Sequence, residues 1–177
     1  MIKHSFLNKR EDVMKFANPN GVGIELGVAE GEFSERVLRN TQNYYHYSVD
    51  MWAGDRGHDD DQYKRVIKRL EPYRDRNTII KLKFQNALEL FPDNYFDFIY
   101  VDGYAHTGEE NGKTFSDWYP KLKNSGIMAG DDYHDNWPLV KKCVNDFSSK
   151  VNRDLHLIDC HEPNSVWSEY PTWFIFK

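Results

Sequence analysis

Short apolar runs alternate with helix-patterned stretches along almost the whole chain, and this alternation constrains the fold more than any other feature of the sequence. The runs occupy residues 22–26, 44–49, 78–82, 96–101, 127–129, 155–158 and 173–176. Between them lie segments with helical spacing. Tyr63, Val66, Ile67 and Leu70 fall at i, i+3, i+4 and i+7, one face of a helix. Phe33, Val37 and Leu38 mark a second helix over 32–39, and Leu139, Val140, Cys143, Val144 and Phe147 mark another. Shorter helices are expected over 6–16, 87–91 and 113–122. Asp59, Asp60 and Asp61 suit the start of a helix, where side-chain oxygens and negative charge meet unpaired N–H groups.

Strands separated by helices imply a mostly parallel sheet covered on both faces. The last two runs are the exception. Only about a dozen residues separate them, including Pro163, Asn164 and Ser165, so they are expected to pair as an antiparallel hairpin. The expected fold is α/β: a single doubly wound, Rossmann-like domain over residues 1–177, with a mostly parallel seven-stranded sheet ending in that hairpin.

Composition narrows the function classes. At 177 residues the chain is long enough for one sizeable core, and 40% hydrophobic and 15% aromatic residues exclude disorder. A formal net charge of −5 argues against a nucleic-acid partner, although Lys64, Arg65, Lys68 and Arg69 cluster on one helix. No run is long enough to span a bilayer, and Met1 to Phe6 lack the apolar core of a signal peptide. Cys143 and Cys160 have no metal-ligand spacing and read as free thiols. The expected location is cytoplasmic, with neither nucleic acid nor membrane as partner.

Ligands of open parallel sheets sit beyond the carboxyl ends of the strands. The first run ends in Glu25-Leu26-Gly27-Val28-Ala29-Glu30-Gly31, whose glycines permit a sharp turn close to a ligand. Asp50 closes the second run about twenty residues past Gly27, a spacing suited to a carboxylate that binds ribose hydroxyls. The loop lacks the third glycine of a dinucleotide site, and Glu25 and Glu30 would repel a pyrophosphate. A cationic sulfonium cofactor, S-adenosylmethionine (SAM), tolerates those acids better than a nicotinamide dinucleotide does. At the far ends of the fourth and fifth runs stand Asp102 and the pair Asp131-Asp132. Three gathered carboxylates repel unless a cation sits among them, and oxygen ligands suit Mg²⁺.

These motifs, taken in order, resemble the class I SAM-dependent methyltransferases. Glu-Leu-Gly-Val-Ala-Glu-Gly is similar to their first motif, and Ser-Val-Asp50-Met-Trp, Gln85-Asn86-Ala87, Tyr-Val-Asp102-Gly-Tyr-Ala-His106 and Gly-Ile-Met-Ala-Gly-Asp131-Asp132-Tyr133 follow. The set resembles the methyltransferase 24 group and the metal-dependent sugar and catechol-type O-methyltransferases. The resemblance covers roughly residues 22–133. It implies that Glu25, Gly27, Gly31, Asp50, Met51 and Asn86 bind the cofactor, with Gly27 and Gly31 near its methionine part. Asp50 would hold the ribose, and Met51 and Asn86 would lie near the adenine. It also implies that Asp102, Asp131 and Asp132 hold magnesium.

The expected reaction is metal-assisted O-methylation of a hydroxyl on a small molecule or glycan. His106, just past Asp102, is the expected base, although relatives place a histidine one residue earlier. His134 and His161 are weaker candidates. A metal-independent methyltransferase, a nicotinamide-dependent oxidoreductase, a nucleotide-sugar enzyme and a SAM-binding regulator without catalysis are the competing readings. The chain is short for the group. Either its site is open to large acceptors such as glycans, or a second subunit completes it in a homodimer.

Overall fold

The computed structural model describes residues 1–53, 57–103, 109–160 and 170–177. Eight strands form one sheet: β1 (Ile2–Lys3), β2 (Val22–Leu26), β3 (Tyr45–Asp50), β4 (Asn77–Lys81), β5 (Phe96–Val101), β6 (Leu122–Gly130), β7 (His156–Ile158) and β8 (Thr172–Phe176). Their order is β1-β7-β8-β6-β5-β2-β3-β4. Neighbours are parallel except at β8, which runs antiparallel to both β6 and β7. The terminal hairpin is therefore present. The extra strand over the expected seven is β1, two residues long and paired with β7, too short for any sequence period to reveal.

Helices α1 (Glu32–Asn40), α2 (Asp60–Leu70), α3 (Phe84–Ala87), α4 (Lys113–Trp118) and α5 (Pro138–Val151) lie between the strands. Two expected helices are shorter than their patterns suggest. The leading one is a 3₁₀ turn, Arg10–Lys15. The segment after α4 tightens into a second, Tyr119–Lys121, where Pro120 offers no N–H to continue an α-helix. Strand β6 begins five residues earlier than its apolar run. Lys123, Asn124 and Ser125 hide it, and the pairing with β5 is irregular there.

Alternation along β5 shows why its run is apolar throughout. Ile99 and Val101 enter a cluster with α3, α4 and α5 on one face. Phe98 and Tyr100 enter another, with Phe33 and Val37 of α1 and with Leu7, Val13 and Ala17 of the N-terminal segment. A strand buried on both faces has no polar side to present. Of the α2 positions expected inside, Val66 and Leu70 are buried, whereas Ile67 is exposed and Gln62 takes a buried place. Asp59 caps that helix by accepting from Gln62 N at 2.8 Å.

The chain runs outward from β2 through β3 to β4, then returns to lay β5 on the other side of β2. The carboxyl ends of β2 and β5 therefore flank the point where the strand order reverses, the usual place for a ligand in such sheets. Among the described residues, no helix is long and apolar enough to cross a membrane.

Candidate functional site

Register places the candidate residues in one row. Leu26 pairs with Val49 on one side and Val101 on the other, and Val101 pairs with Gly130. One step further along, Asp50, Gly27, Asp102 and Asp131 stand side by side across four adjacent strands, each roughly 4.8 Å from the next. The row has two halves, and each manages its negative charge differently.

In the first half the carboxylate meets backbone. Asp50 Oδ2 accepts from Val28 N at 2.9 Å and Ala29 N at 3.0 Å, and Oδ1 accepts from Trp52 N at 3.2 Å. Asp50 thereby shapes the glycine loop it faces, and Oδ1 keeps a lone pair for a further donor such as a ribose hydroxyl. Trp52 locks the same corner. It is buried, adopts φ 38°, and its indole N–H donates to Ala29 O at 3.0 Å. His58, a residue that the sequence did not bring forward, places Nδ1 3.9 Å from Asp50 Oδ2.

The glycines answer to the chain as well as to a ligand. Gly27 has φ 101°, and a Cβ there would lie 2.6 Å from the backbone of Asp102 and Gly103. Only glycine lets the first loop pass so close to the end of β5. Gly31, at φ 76°, is the N-cap of α1. Beside Asp50 a cavity of about 580 Å³ opens over the ends of β3 and β4, lined by Met51, Trp52, Ala53, Asp59, Asp60, Asp61 and Lys81. Its size and its position next to Asp50 fit a nucleoside. Asn86 is exposed on α3 and is not among those lining residues.

Beneath the loop lies a buried polar network. Ser34 Oγ donates to Glu25 and is 2.8 Å from Ser48 Oγ, which donates to Asn77 Oδ1 at 3.1 Å. Burial pushes the Glu25 carboxyl well above its ordinary range, against the pull of the Ser34 hydroxyl, and so favours the neutral acid. Glu30 is held by Arg65, with contacts at 2.7 and 3.1 Å. The two glutamates expected to repel a pyrophosphate thus carry little free charge, and loop electrostatics do not by themselves separate a sulfonium cofactor from a dinucleotide.

In the second half the carboxylates meet a guanidinium. Arg10, from the 3₁₀ turn at the N-terminus, pairs Nη1 with Asp102 Oδ2 at 3.3 Å and Nη2 with Asp131 Oδ2. Its side chain is only 9% exposed, and its Cζ lies 5.8 Å from the centres of both the Phe33 and Tyr100 rings. Burial pulls the Arg10 pKa down, but the acidic groups around it, Asp102 and Asp132 among them, leave it raised, so the charge is permanent. Asp131 is buried and also accepts from Thr172 Oγ1 at 3.3 Å. Asp132 turns at φ 61°, a conformation that aspartate tolerates better than most residues.

The expected magnesium site finds no support in this arrangement. Among the described residues, no group of three or more histidine, cysteine, aspartate or glutamate side chains is placed to hold a metal ion. Asp102 and Asp131 do converge, but on a cation supplied by the chain. Divalent metal does not fit beside a buried guanidinium.

The expected base, His106, lies outside the described residues, as do Tyr104 and His161. His134 accepts from Asn136 N at 3.2 Å and packs its ring 4.9 Å from that of Tyr170. Trp118 of α4 is buried. Arg10, His46 and His58 are residues that sequence reasoning missed. None carries a motif, and each is placed by the tertiary fold.

Comparison with known proteins agrees with the fold. A family model described as a methyltransferase domain matches residues 24–133. A search of curated protein sequences finds no match. Among solved structures, an rRNA methylase from Streptococcus thermophilus is similar at 11% identity, covering 94% of this chain and 93% of that one, with a TM-score of 0.63. A tRNA methyltransferase from Aquifex aeolicus is similar at 14% identity, covering 94% and 66%, with a TM-score of 0.67. A spermidine synthase from Thermotoga maritima is similar at 15% identity, covering 96% and 60%, with a TM-score of 0.67. Such identities bear on the fold alone. They do overturn the exclusion of nucleic acid drawn from net charge, because proteins named for rRNA and tRNA share this scaffold over nearly all of the chain.

Proposed function

Because the chain belongs to the methyltransferase-domain family, we propose that it transfers a methyl group from SAM to an acceptor held over the carboxyl ends of β5 and β6. The observation that carries this reading is the row Asp50–Gly27–Asp102–Asp131 at the point where the strand order reverses. SAM, when bound, supplies an electrophilic methyl on a cationic sulfur. Everything else falls to the protein.

Asp50 Oδ1 and the cavity beside Met51 suit the adenosine part. The turn at Gly27 and Gly31 suits the methionine part, and Glu25 supports that turn from below through Ser34. Asn86, on α3, is assigned to the adenine end through its motif alone. Asp102, clamped by Arg10, orients the acceptor, and His106 receives its proton. Positioning of this kind lowers a barrier by several kcal/mol, up to about 7–11 in the best intramolecular cases. The acceptor atom in this reading is a hydroxyl oxygen. RNA and nucleotides belong in the acceptor screen beside sugars and phenols. Residues 1–177 act as one methyltransferase domain, and the buried cysteines Cys143 and Cys160, which form no disulfide, suit a reducing, cytoplasmic setting.

Calorimetric titration with S-adenosylhomocysteine tests the first half of the site. The expected result is binding by the wild type, weakened about tenfold or more in Asp50→Ala, the equivalent of roughly 1.4 kcal/mol. Wild-type protein that binds NAD but not S-adenosylhomocysteine would sink the reading. Mass spectrometry of acceptor mixtures incubated with labelled SAM tests the second half. Label on oxygen is expected, and label on carbon or nitrogen alone would refute O-methylation.

A further inference from the structure

We propose that Arg10 is the built-in cation of this site: its guanidinium stands where a divalent ion would have to sit, holds Asp102 and Asp131 in place, and makes the protein metal-free. The inference deepens the methyl-transfer reading of the same carboxyl edge, and makes Arg10 a positioning residue that acts through the two aspartates.

Three observations support it. The first is the pairing itself, with one guanidinium nitrogen on each carboxylate from two neighbouring strands. The second is enclosure. Arg10 is buried against the stacked rings of Phe33 and Tyr100, whose centres lie 3.9 Å apart, so water does not screen its charge. The third is anchorage. Strand β1 hydrogen-bonds to the β7 segment through Ile2 N–Leu155 O and His4 N–Leu157 O, at 2.8 and 2.9 Å. Leu7 and Val13 are buried against the sheet, and Glu11 reaches Arg36 of α1 at 3.4 Å. The turn that carries Arg10 is thus fixed on both sides, and the guanidinium cannot withdraw without breaking core contacts. Arginine does not lose its proton in proteins, so a second cation at these two aspartates would meet permanent repulsion.

Mn²⁺ titration followed by the electron paramagnetic resonance of the free ion tests the assignment. Wild-type protein is expected to leave the free signal unchanged. Arg10→Gln, which keeps a polar side chain but drops the charge, is expected to take up Mn²⁺ at least about tenfold more tightly than the wild type. Arg10→Lys restores the charge and should restore exclusion. Adding Asp131→Asn to Arg10→Gln should abolish the uptake.

Equal Mn²⁺ binding by wild type and Arg10→Gln, lost in Asp131→Asn, would overturn the proposal, and so would a folded Arg10→Gln that takes up none. Should Arg10→Gln fail to fold, the wild-type titration still decides. Uptake that Asp131→Asn removes refutes the assignment, and no uptake with no shift in melting temperature at high Mn²⁺ upholds it. None of these measurements reads turnover. A protein that excludes Mn²⁺ yet methylates nothing would sink only the functional reading above.

Discussion

The two halves of the carboxyl edge hold the same kind of charge by opposite means. Around Asp50 the partners are the amides of Val28, Ala29 and Trp52, close in sequence or one strand away, and they belong to the loop that a ligand would meet. Around Asp102 and Asp131 the shared cationic partner is a side chain from the far end of the chain, buried against aromatic rings. Backbone amides carry partial charges and leave acceptor capacity open. A guanidinium carries a full charge and occupies the space between its partners. The first half therefore leaves acceptor capacity for the ligand proposed above, and the second already has its countercharge.

The largest expected effect comes from removing Arg10. Arg10→Ala strands two carboxylates, one of them buried, and should cost about 3–5 kcal/mol of stability in denaturant unfolding. Adding Asp131→Ala should return part of that loss, since the cost lies in the uncompensated charge. A single-mutant cost below about 1 kcal/mol would erase the contrast between the halves.

Gly27→Ala comes next. It strains a backbone at φ 101° and drives a methyl into the backbone of Asp102 and Gly103, for an expected cost of about 2–3 kcal/mol. It touches both halves at once, so S-adenosylhomocysteine binding should weaken along with stability. Stability lost without any change in binding would mean that the loop serves packing alone.

Asp50→Asn keeps the shape and one acceptor oxygen, and should cost only about 1–2 kcal/mol in unfolding while weakening ligand binding. That asymmetry between affinity and stability sharpens the comparison, because Arg10→Ala should show the reverse.

The smallest effect concerns pH. His46 is fully buried beneath the first half, 3.8 Å from Glu25 Oε2, and neither ring nitrogen has a hydrogen-bond partner among the described residues. Burial lowers its pKa from 6.5 to about 3. The unfolded chain binds a proton there that the folded one refuses, so this group removes stability as pH falls from about 6.5 toward about 3. His46→Leu should make the acid limb of the stability curve shallower. It should change stability at neutral pH by less than about 1.5 kcal/mol. An unchanged limb would mean that His46 finds a route to solvent.

The alternation of apolar runs determined the layer architecture by itself, because a strand buried on both faces and a one-sided helix leave different periods in the sequence. The order of Gly27, Asp50, Asp102 and Asp131 placed them at the ends of the first, second, fourth and fifth runs, which is why the candidate row could be anticipated before its register was known. The first-loop glycines were legible for the same local reason. What surrounds those charges was not. A carboxylate looks alike in sequence whether an amide, a metal ion or an arginine neutralises it, and the three acids suggested magnesium. Arg10 stands in an unremarkable polar stretch, and nothing local marks it as the counter-ion of Asp102 and Asp131. Strand β1 is too short to show a period, and Glu30 gives no sign of its pairing with Arg65. Short-range chemistry determined where the carboxylates lie. Only the tertiary structure decided what compensates them, because charge compensation depends on distance in space, which sequence separation does not encode.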